Sequence, residues 1–544
     1  MNSSYDLSDL SDSPFYEYLN TNYAPTDSQI IQIRTHLFPH EAELARIESL
    51  IADLTAQRAR IKSYIAPHKA LISCPRRLPV ELVEQIFVDC LPITHNAVMS
   101  VKEPPLLLGR ICSGWRSIAL SSPKLWSSLH IYTPLISNEE IKGGVTEWLT
   151  RSAPLPILLS AQSNPITFPK TYPEHDTVLP LLIPFSARWS ELRLTSVSRH
   201  EAFLLAAVNS PLLERVMLDF RDDLDETDGD RLFGSQIFFG QHAQKITIVS
   251  PNPSFVVPST DLTREHITNL TLIWRPSDDG LSSLADSILS VETAHQLMSS
   301  CRFLKSLELP MYYSEVDLIV DPPMSFPTLE SLRLLSYAST LTDTMSFFDG
   351  LVLSQLITLH LTIQDAWAGL EDRLSLLRCI ERLGVRSPLI VNLHLECKDL
   401  PSTLIFVQNL HVFSRLQCLD LALWKPGYAL RNTYDMIVET DFIKALTPTD
   451  ELNVCPELKE LSVCSQNFSE GVWMSFLQAN LDLRTKFRRL HLQLWYLYDA
   501  SEINVIDVSQ FRSRGLEVVV EYTRVPTNSG YANSLSAWEG IERP

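Results

Sequence analysis

A short apolar pattern recurs along the chain from about residue 190 and constrains the fold more than any other feature. Nine copies have the form L-x-x-L-x-L, with isoleucine, valine or phenylalanine in place of some leucines, and two weaker copies stand at 192/194 and 246/248. The spacing between successive copies is irregular, shortest from 194 to 218 and from 248 to 272, and longest from 421 to 463. The L-x-L pairs stand at 192/194, 216/218, 246/248, 270/272, 307/309, 332/334, 359/361, 393/395, 419/421, 461/463 and 490/492.

Apolar residues on alternate positions predict a short strand with its leucines on one face and the intervening residue on the other. The residues between copies, such as 371–384, have helical spacing. A unit of this size cannot bury its apolar face alone, so the copies must stack. The shorter steps match the period of leucine-rich repeats, which the pattern resembles. The predicted fold class is α + α/β: a short N-terminal helix and a helical block, then an irregular leucine-rich-repeat solenoid with a parallel inner sheet and outer helices.

The segment 28–72 predicts an amphipathic or coiled-coil-like helix, after an acidic and disordered tail at 1–27. In its clearest part, 38–65, apolar residues follow alternating steps of three and four, and Arg58 interrupts the seam. One interpretation is a helix packed on its own domain. The other is a homodimer through 38–65. The apolar seam consists of Leu44, Ile47, Ile51, Leu54, Ile61 and Ile65.

Residues 74–87, CPRRLPVELVEQIF, begin a helix that has more apolar side chains than one core-facing stripe needs. Pro79 suits a first turn, because its missing N–H would be unpaired there and its φ is preset for helix. The surplus face needs a partner, either inside the chain or outside it. The apolar positions are Val80, Leu82, Val83, Ile86, Phe87 and Leu91.

The ordered residues across 73–131 resemble the F-box in the form common in fungal proteins. An extra loop at 93–104 departs from the compact form of that domain. The matching residues are Leu78-Pro79, Glu81-Leu82, Ile86-Phe87, Ile111-Cys112, Trp115, Ile118-Ala119 and Pro123-Lys124-Leu125-Trp126.

In that family the F-box docks the Skp-type adaptor of a cullin–RING ubiquitin ligase, and leucine-rich repeats after it hold a protein substrate. The resemblance therefore implies a non-catalytic substrate receptor with an F-box-like domain at 73–131, a solenoid at 132–522 and a cap or tail at 523–544. The alternative is a repeat scaffold for protein–protein interaction without ligase assembly. The implied adaptor-binding residues are Leu78, Pro79, Leu82, Ile86, Phe87, Ile111, Trp115 and Trp126.

The x residue of each L-x-L pair is expected on the solvent face of the sheet, one strand spacing from its neighbours. These residues form a predicted polar row that either contacts a substrate or is a solvated strand face. Its histidines suggest binding that depends on pH near 6.5, and a metal held there is a minor alternative. Trp424 is either an aromatic anchor or a packed core residue. The candidate substrate-binding residues are Glu308, Arg333, His360, His394, Asp420 and Trp424.

Composition and the absence of sequence signatures argue against several other classes of function. The net charge of −19 argues against a nucleic-acid partner or an anionic membrane surface. The nine scattered cysteines include no CxxC pair, and no nucleophile, phosphate-loop or HExxH signature occurs. We therefore expect no enzyme activity, no metal and no cofactor. The acidic N-terminus, which has no basic residue before Arg34, does not read as a targeting peptide, and the expected location is cytoplasmic, nuclear or both.

Overall fold

The computed structural model divides the chain into two compact units, Met1–Gln85 and Ile86–Pro544. The described residues are 13–72, 74–133, 138–162, 177–222, 224–233, 235, 242–256, 264–275, 288–312, 323–337, 344–345, 347–363, 373–397, 400–422, 441–449, 453–465, 470–484, 486–496 and 508–524. Among the described helices, none has both the length and the apolar content that crossing a membrane requires.

The first unit is dominated by helix α1, Asp27–Leu71, which is 45 residues long. The backbone N–H of Thr26 donates to the Oε1 atom of Gln29 at 2.9 Å, so the helix begins with a side-chain cap. None of its residues is buried. The fold class predicted a short N-terminal helix, but α1 is long. It continues through Pro39 and covers nearly all of the predicted segment 28–72.

Two short helices follow, α2 at Val80–Asp89 and α3 at Ser113–Ser121. Pro79 precedes α2, and its carbonyl accepts from the N–H groups of Leu82 and Val83 at 3.1 and 3.2 Å. The other helices, α and 3-10, lie at Tyr16–Tyr18, Cys74–Arg77, Leu108–Arg110, Pro123–Trp126, Glu139–Arg151, Leu179–Leu182, Ile183–Arg188, Arg199–Ala206, Glu226–Phe233, Pro253–Val256, Val291–Ser300, Phe347–Gly350, Arg373–Arg386, Leu400–Gln408, Leu410–Val412, Glu470–Leu483 and Ser509–Ser513.

The second unit is built on a sheet of 14 parallel strands that pair in chain order. This confirms the predicted parallel sheet and the solenoid-like stacking. Two further two-residue strands, Met324–Ser325 and Leu351–Val352, pair separately. The strands of the large sheet are Ser128–Tyr132, Ile157–Gln162, Trp189–Val197, Arg215–Phe220, Lys245–Ser250, Asn269–Trp274, Ser306–Tyr312, Ser331–Tyr337, Thr358–Ile363, Asn392–Cys397, Cys418–Ala422, Glu460–Ser465, Arg489–Tyr496 and Glu517–Arg524.

All eleven predicted L-x-L pairs lie in these strands, and their apolar residues face the interior. In the strand Thr358–Ile363, for example, Leu359 and Leu361 are fully buried while His360 between them is not. The period of two in a strand separates the faces in this way. The outer helix predicted at 371–384 is present as Arg373–Arg386, with Leu376, Ile380 and Leu383 buried at helical spacing.

Three strands carry no L-x-L pair that the sequence pattern recognised. Ser128–Tyr132 and Ile157–Gln162 precede the first predicted copy, and Glu517–Arg524 follows the last. The predicted domain boundaries at 131/132 and 522/523 both fall inside strands. The sheet is therefore longer at each end than the repeat pattern indicated.

Candidate binding surfaces

Helix α2 divides its apolar residues between two faces. Val83 and Phe87, one turn apart, are buried. Leu82 and Ile86, also one turn apart, keep 52% and 43% of their surface exposed, and Val80 keeps 53%. The surplus apolar face therefore has no partner among the described residues of the chain, which is the condition for an external one.

More exposed apolar side chains occur in the segment after α2. Ile111 is 56% exposed just before α3, and Leu107 and Leu120 are also exposed. The Sγ atom of Cys112 accepts from the backbone N–H of Trp115 at 3.4 Å and caps α3. The ring of Trp115, half-buried, contacts the ring of Phe87 edge to face with centroids 5.0 Å apart.

Two of the residues expected to touch an adaptor are instead interior. Phe87 is fully buried, and only 1% of the Trp126 surface is exposed. The indole N–H of Trp126 donates to the carbonyl of Ala119 at 2.8 Å, and its ring lies edge to face with Trp148 at 4.8 Å. Their large aromatic surfaces pack in the interior of the single chain, and their direct contact with an adaptor stays a prediction.

The second surface is the open face of the large sheet, which carries the predicted polar row. The register places each residue of the row beside the next, from Arg193 to His491. His130 and Ser160 extend the row at its beginning. The row consists of Arg193, Met217, Thr247, Thr271, Glu308, Arg333, His360, His394, Asp420, Ser462 and His491.

Three predicted residues, His360, His394 and Asp420, form one cluster on adjacent strands. The rings of His360 and His394 lie with centroids 3.6 Å apart. The Nδ1–H of His394 donates to the Oδ2 atom of Asp420 at 2.7 Å, and Ser462 also hydrogen-bonds to Asp420. The cluster therefore fixes the orientation of polar groups that a bound peptide would meet.

Burial and neighbouring charge change the protonation of this cluster. Burial, followed by the charges of His394 and Arg333, lowers the pKa of His360 to about 3. For Asp420, burial raises the pKa, but the hydrogen bond from His394 and its charge outweigh that effect, so the net pKa is lowered. His360 is therefore neutral at physiological pH and does not supply the predicted switch near pH 6.5.

Next to the cluster lies an ion pair on the same row. The Nε atom of Arg333 is 3.4 Å from the Oε1 atom of Glu308. Burial raises the pKa of Glu308, and the charge of Arg333 opposes that shift. Glu308 and Arg333 thus neutralise each other beside the histidine pair.

A shallow cavity of about 320 Å³ opens where the histidine cluster lies. Leu393, Leu419 and Leu461 form part of its lining. A partly apolar pocket with convergent polar groups is the usual form of a binding site. The polar residues that line it are Thr358, His360, Asn392, His394, Cys418, Asp420, Glu460, Ser462, Arg489 and His491.

The two signs of charge are separated along the described part of the open face: cations are more numerous near its N-terminal strands, and carboxylates are more numerous near its C-terminal strands. On the strands from Trp189 to Trp274, Glu191 is paired with Arg193 and Arg215, each at 2.5 Å, and Arg275 is paired with Asp219. Lys245 adds another cation there. On the strands from Asn392 to Arg524 carboxylates exceed cations among the described open-face residues. These are Glu396, Asp420, Glu460, Glu517 and Glu521, against Arg489.

Trp424 lies outside the described residues, so its predicted role as an anchor stays a prediction. Within the described ranges, no group of three His, Cys, Asp or Glu side chains is arranged to hold a metal ion. The sequence pattern did not identify Glu460 and Arg489 as part of the same pocket. Residues two positions before and after the x of each L-x-L pair lie on the same face of the sheet. Listing those positions from the sequence would have identified Glu460 and Arg489 as neighbours of the row.

We expect the lowered pKa of His360 to make stability depend on pH. Its pKa is about 3 when folded and 6.5 by reference when unfolded, so the unfolded chain binds more protons between these values. The free energy of unfolding should fall as pH is lowered from about 6.5 towards 3, by about 1–2 kcal/mol at pH 5 for this group. Denaturant unfolding of wild type and His360→Gln at pH 7 and pH 5 measures it.

The His360→Gln variant should lose less stability than wild type over this pH interval. His411→Gln, which changes an exposed histidine outside the sheet, is the control and should follow wild type. Equal losses in wild type and His360→Gln would contradict the assignment of a depressed pKa to His360.

No protein-family model and no curated protein matches the chain. Among solved structures, it is similar to one described as "Crystal structure of Rad7 and Elc1 complex in yeast", with 12% identity and a TM-score of 0.32. The match covers 86% of this chain and 97% of that chain. At that TM-score the likeness does not bear on the fold or the function of this protein.

Proposed function

We propose that this protein is the substrate-recognition subunit of a Skp–cullin–F-box ubiquitin ligase. The F-box-like segment docks a Skp-type adaptor, and through it a cullin, while the open face of the repeat sheet binds a protein substrate. The protein itself carries out no chemistry. The observation that carries the proposal is the exposed apolar face of α2, Leu82 and Ile86, within a segment whose ordered residues resemble the F-box.

Two features support the division of roles. An exposed apolar face on a short helix is typical of a surface that a partner buries, and each fully buried Leu or Ile adds about 1.5–3 kcal/mol. The open face instead offers a long polar surface with a pocket and separated charges, which suits an extended protein segment. Insertions and loops around a solenoid then set which partner is accepted.

The alternative is a repeat scaffold that binds proteins without ligase assembly. The same open face would serve it, and the exposed face of α2 would then dock some other partner. Co-purification separates the two functions. A ligase subunit brings down both the adaptor and the cullin, whereas a scaffold brings down neither.

The test is a pull-down of a purified Skp-type adaptor by the full chain, with wild type compared with the double variant Leu78→Ala, Pro79→Ala. Both residues are exposed, so the fold should persist. We expect the double variant to lose adaptor binding, and Val101→Ala, which changes an exposed apolar residue in the loop, to retain it. Full binding by the double variant would reject the assignment.

A further inference from the structure

Helix α1 exposes an apolar seam that no described residue of its own unit buries. Leu44, Ile51, Leu54 and Ile61 keep between 54% and 59% of their surface exposed, and Ile47 and Ile65 keep 40% and 42%. All six positions follow a heptad pattern, as the a and d positions of a coiled coil do. Leu37, one heptad before Leu44, continues the seam and is 42% exposed.

The two prolines inside α1 do not interrupt this seam. Pro39 and Pro67 are separated by a whole number of heptads, and both stand at the same outward position, just after the seam residues Leu37 and Ile65. Each removes one backbone hydrogen bond, but neither places its ring among the seam residues. The seam is therefore continuous in position over most of the helix.

Charge on α1 is separated along its length. Residues 41–53 contain Glu41, Glu43, Glu48 and Asp53 against Arg46, which is already paired with Glu43 at 2.7 Å. Residues 54–72 contain no carboxylate and carry Arg58, Arg60, Lys62 and Lys69. A second helix that runs antiparallel and has the same sequence would set the acidic half against the basic half.

One antiparallel alignment places apolar seam residues of the two copies opposite each other and also places opposite charges next to each other beside the seam. When Ile51 lies opposite Ile61 of a second copy, Glu48 falls beside Lys62 of that copy and Glu41 beside Lys69. Residues beside the seam form such interhelical ion pairs. These four charged side chains are exposed in the single chain and are free of the seam.

Arg58 also favours this orientation. It interrupts the apolar seam, and in a parallel pair it would meet Arg58 of the other copy in the same layer. In the antiparallel alignment it faces Leu54 of the copy, and the two arginines are offset by about one helical turn, about 6 Å along the axis. A single polar seam position of this kind specifies register and oligomeric state.

The overlap is long enough for a stable pair. In this alignment residues 41–71 of each copy face each other, which corresponds to about 46 Å of helix. A strip of that length and a helix width of about 10–12 Å on each copy gives about 1,000 Å² in total, near the minimum for a specific interface.

We propose that α1 forms an antiparallel coiled coil with α1 of a second copy of this chain, so that the protein is a homodimer. The occupant of the seam is the same helix, because it matches both the heptad spacing and the charge separation. This inference is independent of the proposed adaptor and substrate.

Sedimentation equilibrium of the full chain at micromolar concentration tests the dimer. We expect a mass of twice 61.7 kDa. The variant Ile51→Asp, Leu54→Asp should raise the dissociation constant about 100-fold or more, because each copy loses two buried seam residues. The control Ala52→Asp, Ala56→Asp adds the same charge on the outward face and should leave the mass unchanged. A wild-type mass of 61.7 kDa, or a seam variant that stays dimeric, overturns the proposal.

Charge exchange tests the orientation. Glu41→Lys with Glu48→Lys, or Lys62→Glu with Lys69→Glu, should each weaken the dimer about 10-fold, and all four changes together should restore it. In a parallel pair Glu48 would instead lie beside Glu43 of the other copy. Tighter association of Glu48→Lys, or no restoration by the fourfold variant, therefore overturns the antiparallel arrangement.

Discussion

Replacing Leu82 and Ile86 by aspartate should abolish binding to a Skp-type adaptor. The two side chains lie one turn apart on α2 and are 52% and 43% exposed, so they can be buried by a partner. Losing two apolar contacts of about 1.5–3 kcal/mol each lowers adaptor affinity about 100-fold or more, before the desolvation of two carboxylates is added. Titration of purified adaptor against both proteins by calorimetry gives the dissociation constants.

The fold of this variant should persist, because exposed substitutions away from special features change stability by about 0.5 kcal/mol or less. A matched control is Leu483→Asp with Val385→Asp, which places the same charges on exposed apolar positions of repeat helices. The control should bind the adaptor as wild type does. If the Leu82 and Ile86 variant binds equally well, α2 is not the docking element.

Replacing Trp126 by alanine should destabilise the second unit by about 3–5 kcal/mol. The side chain is 1% exposed, its ring packs on Trp148 and the Arg151 guanidinium lies 4.8 Å above it. Removing it leaves a cavity and also leaves the carbonyl of Ala119 without its indole donor. Chemical denaturation followed by circular dichroism measures the change in the free energy of unfolding.

Trp126→Phe provides the comparison, since it retains most of the ring and loses the N–H. Its cost should be about 1–3 kcal/mol, the penalty for one unsatisfied buried group. At low denaturant concentration, the Trp126→Phe variant should bind the adaptor with an affinity close to that of the wild-type protein. A Trp126→Ala protein of unchanged stability that no longer binds adaptor would instead support direct contact with the adaptor as the role of this residue.

The parallel sheet was predictable because most of its strands repeat the same local sequence pattern. Leu359, His360 and Leu361 in one strand have the same pattern as Leu393, His394 and Leu395 in the next, and identical patterns in identical units stack in register. The strand Glu517–Arg524 was missed because its core is a run of valines, and Gly515 stands where each of the other copies has an apolar residue three positions before the pair.

The sequence by itself determined which residues belong to the interior of the sheet and which form its polar row, since a period of two fixes the face of every side chain in a strand. It also determined where α2 begins, because Pro79 favours the first turn of a helix. Only the tertiary structure decided that Phe87 and Trp126 are interior while Leu82 and Ile86 are exposed.

The physical reason is that helical spacing alone identifies apolar faces without saying what covers them. Only packing in the folded chain, such as that of Phe87 against Trp115 of α3, assigns one of those faces to the core. The pKa of His360 likewise depends on Arg333 and His394, which are distant in sequence and adjacent to it only across the sheet.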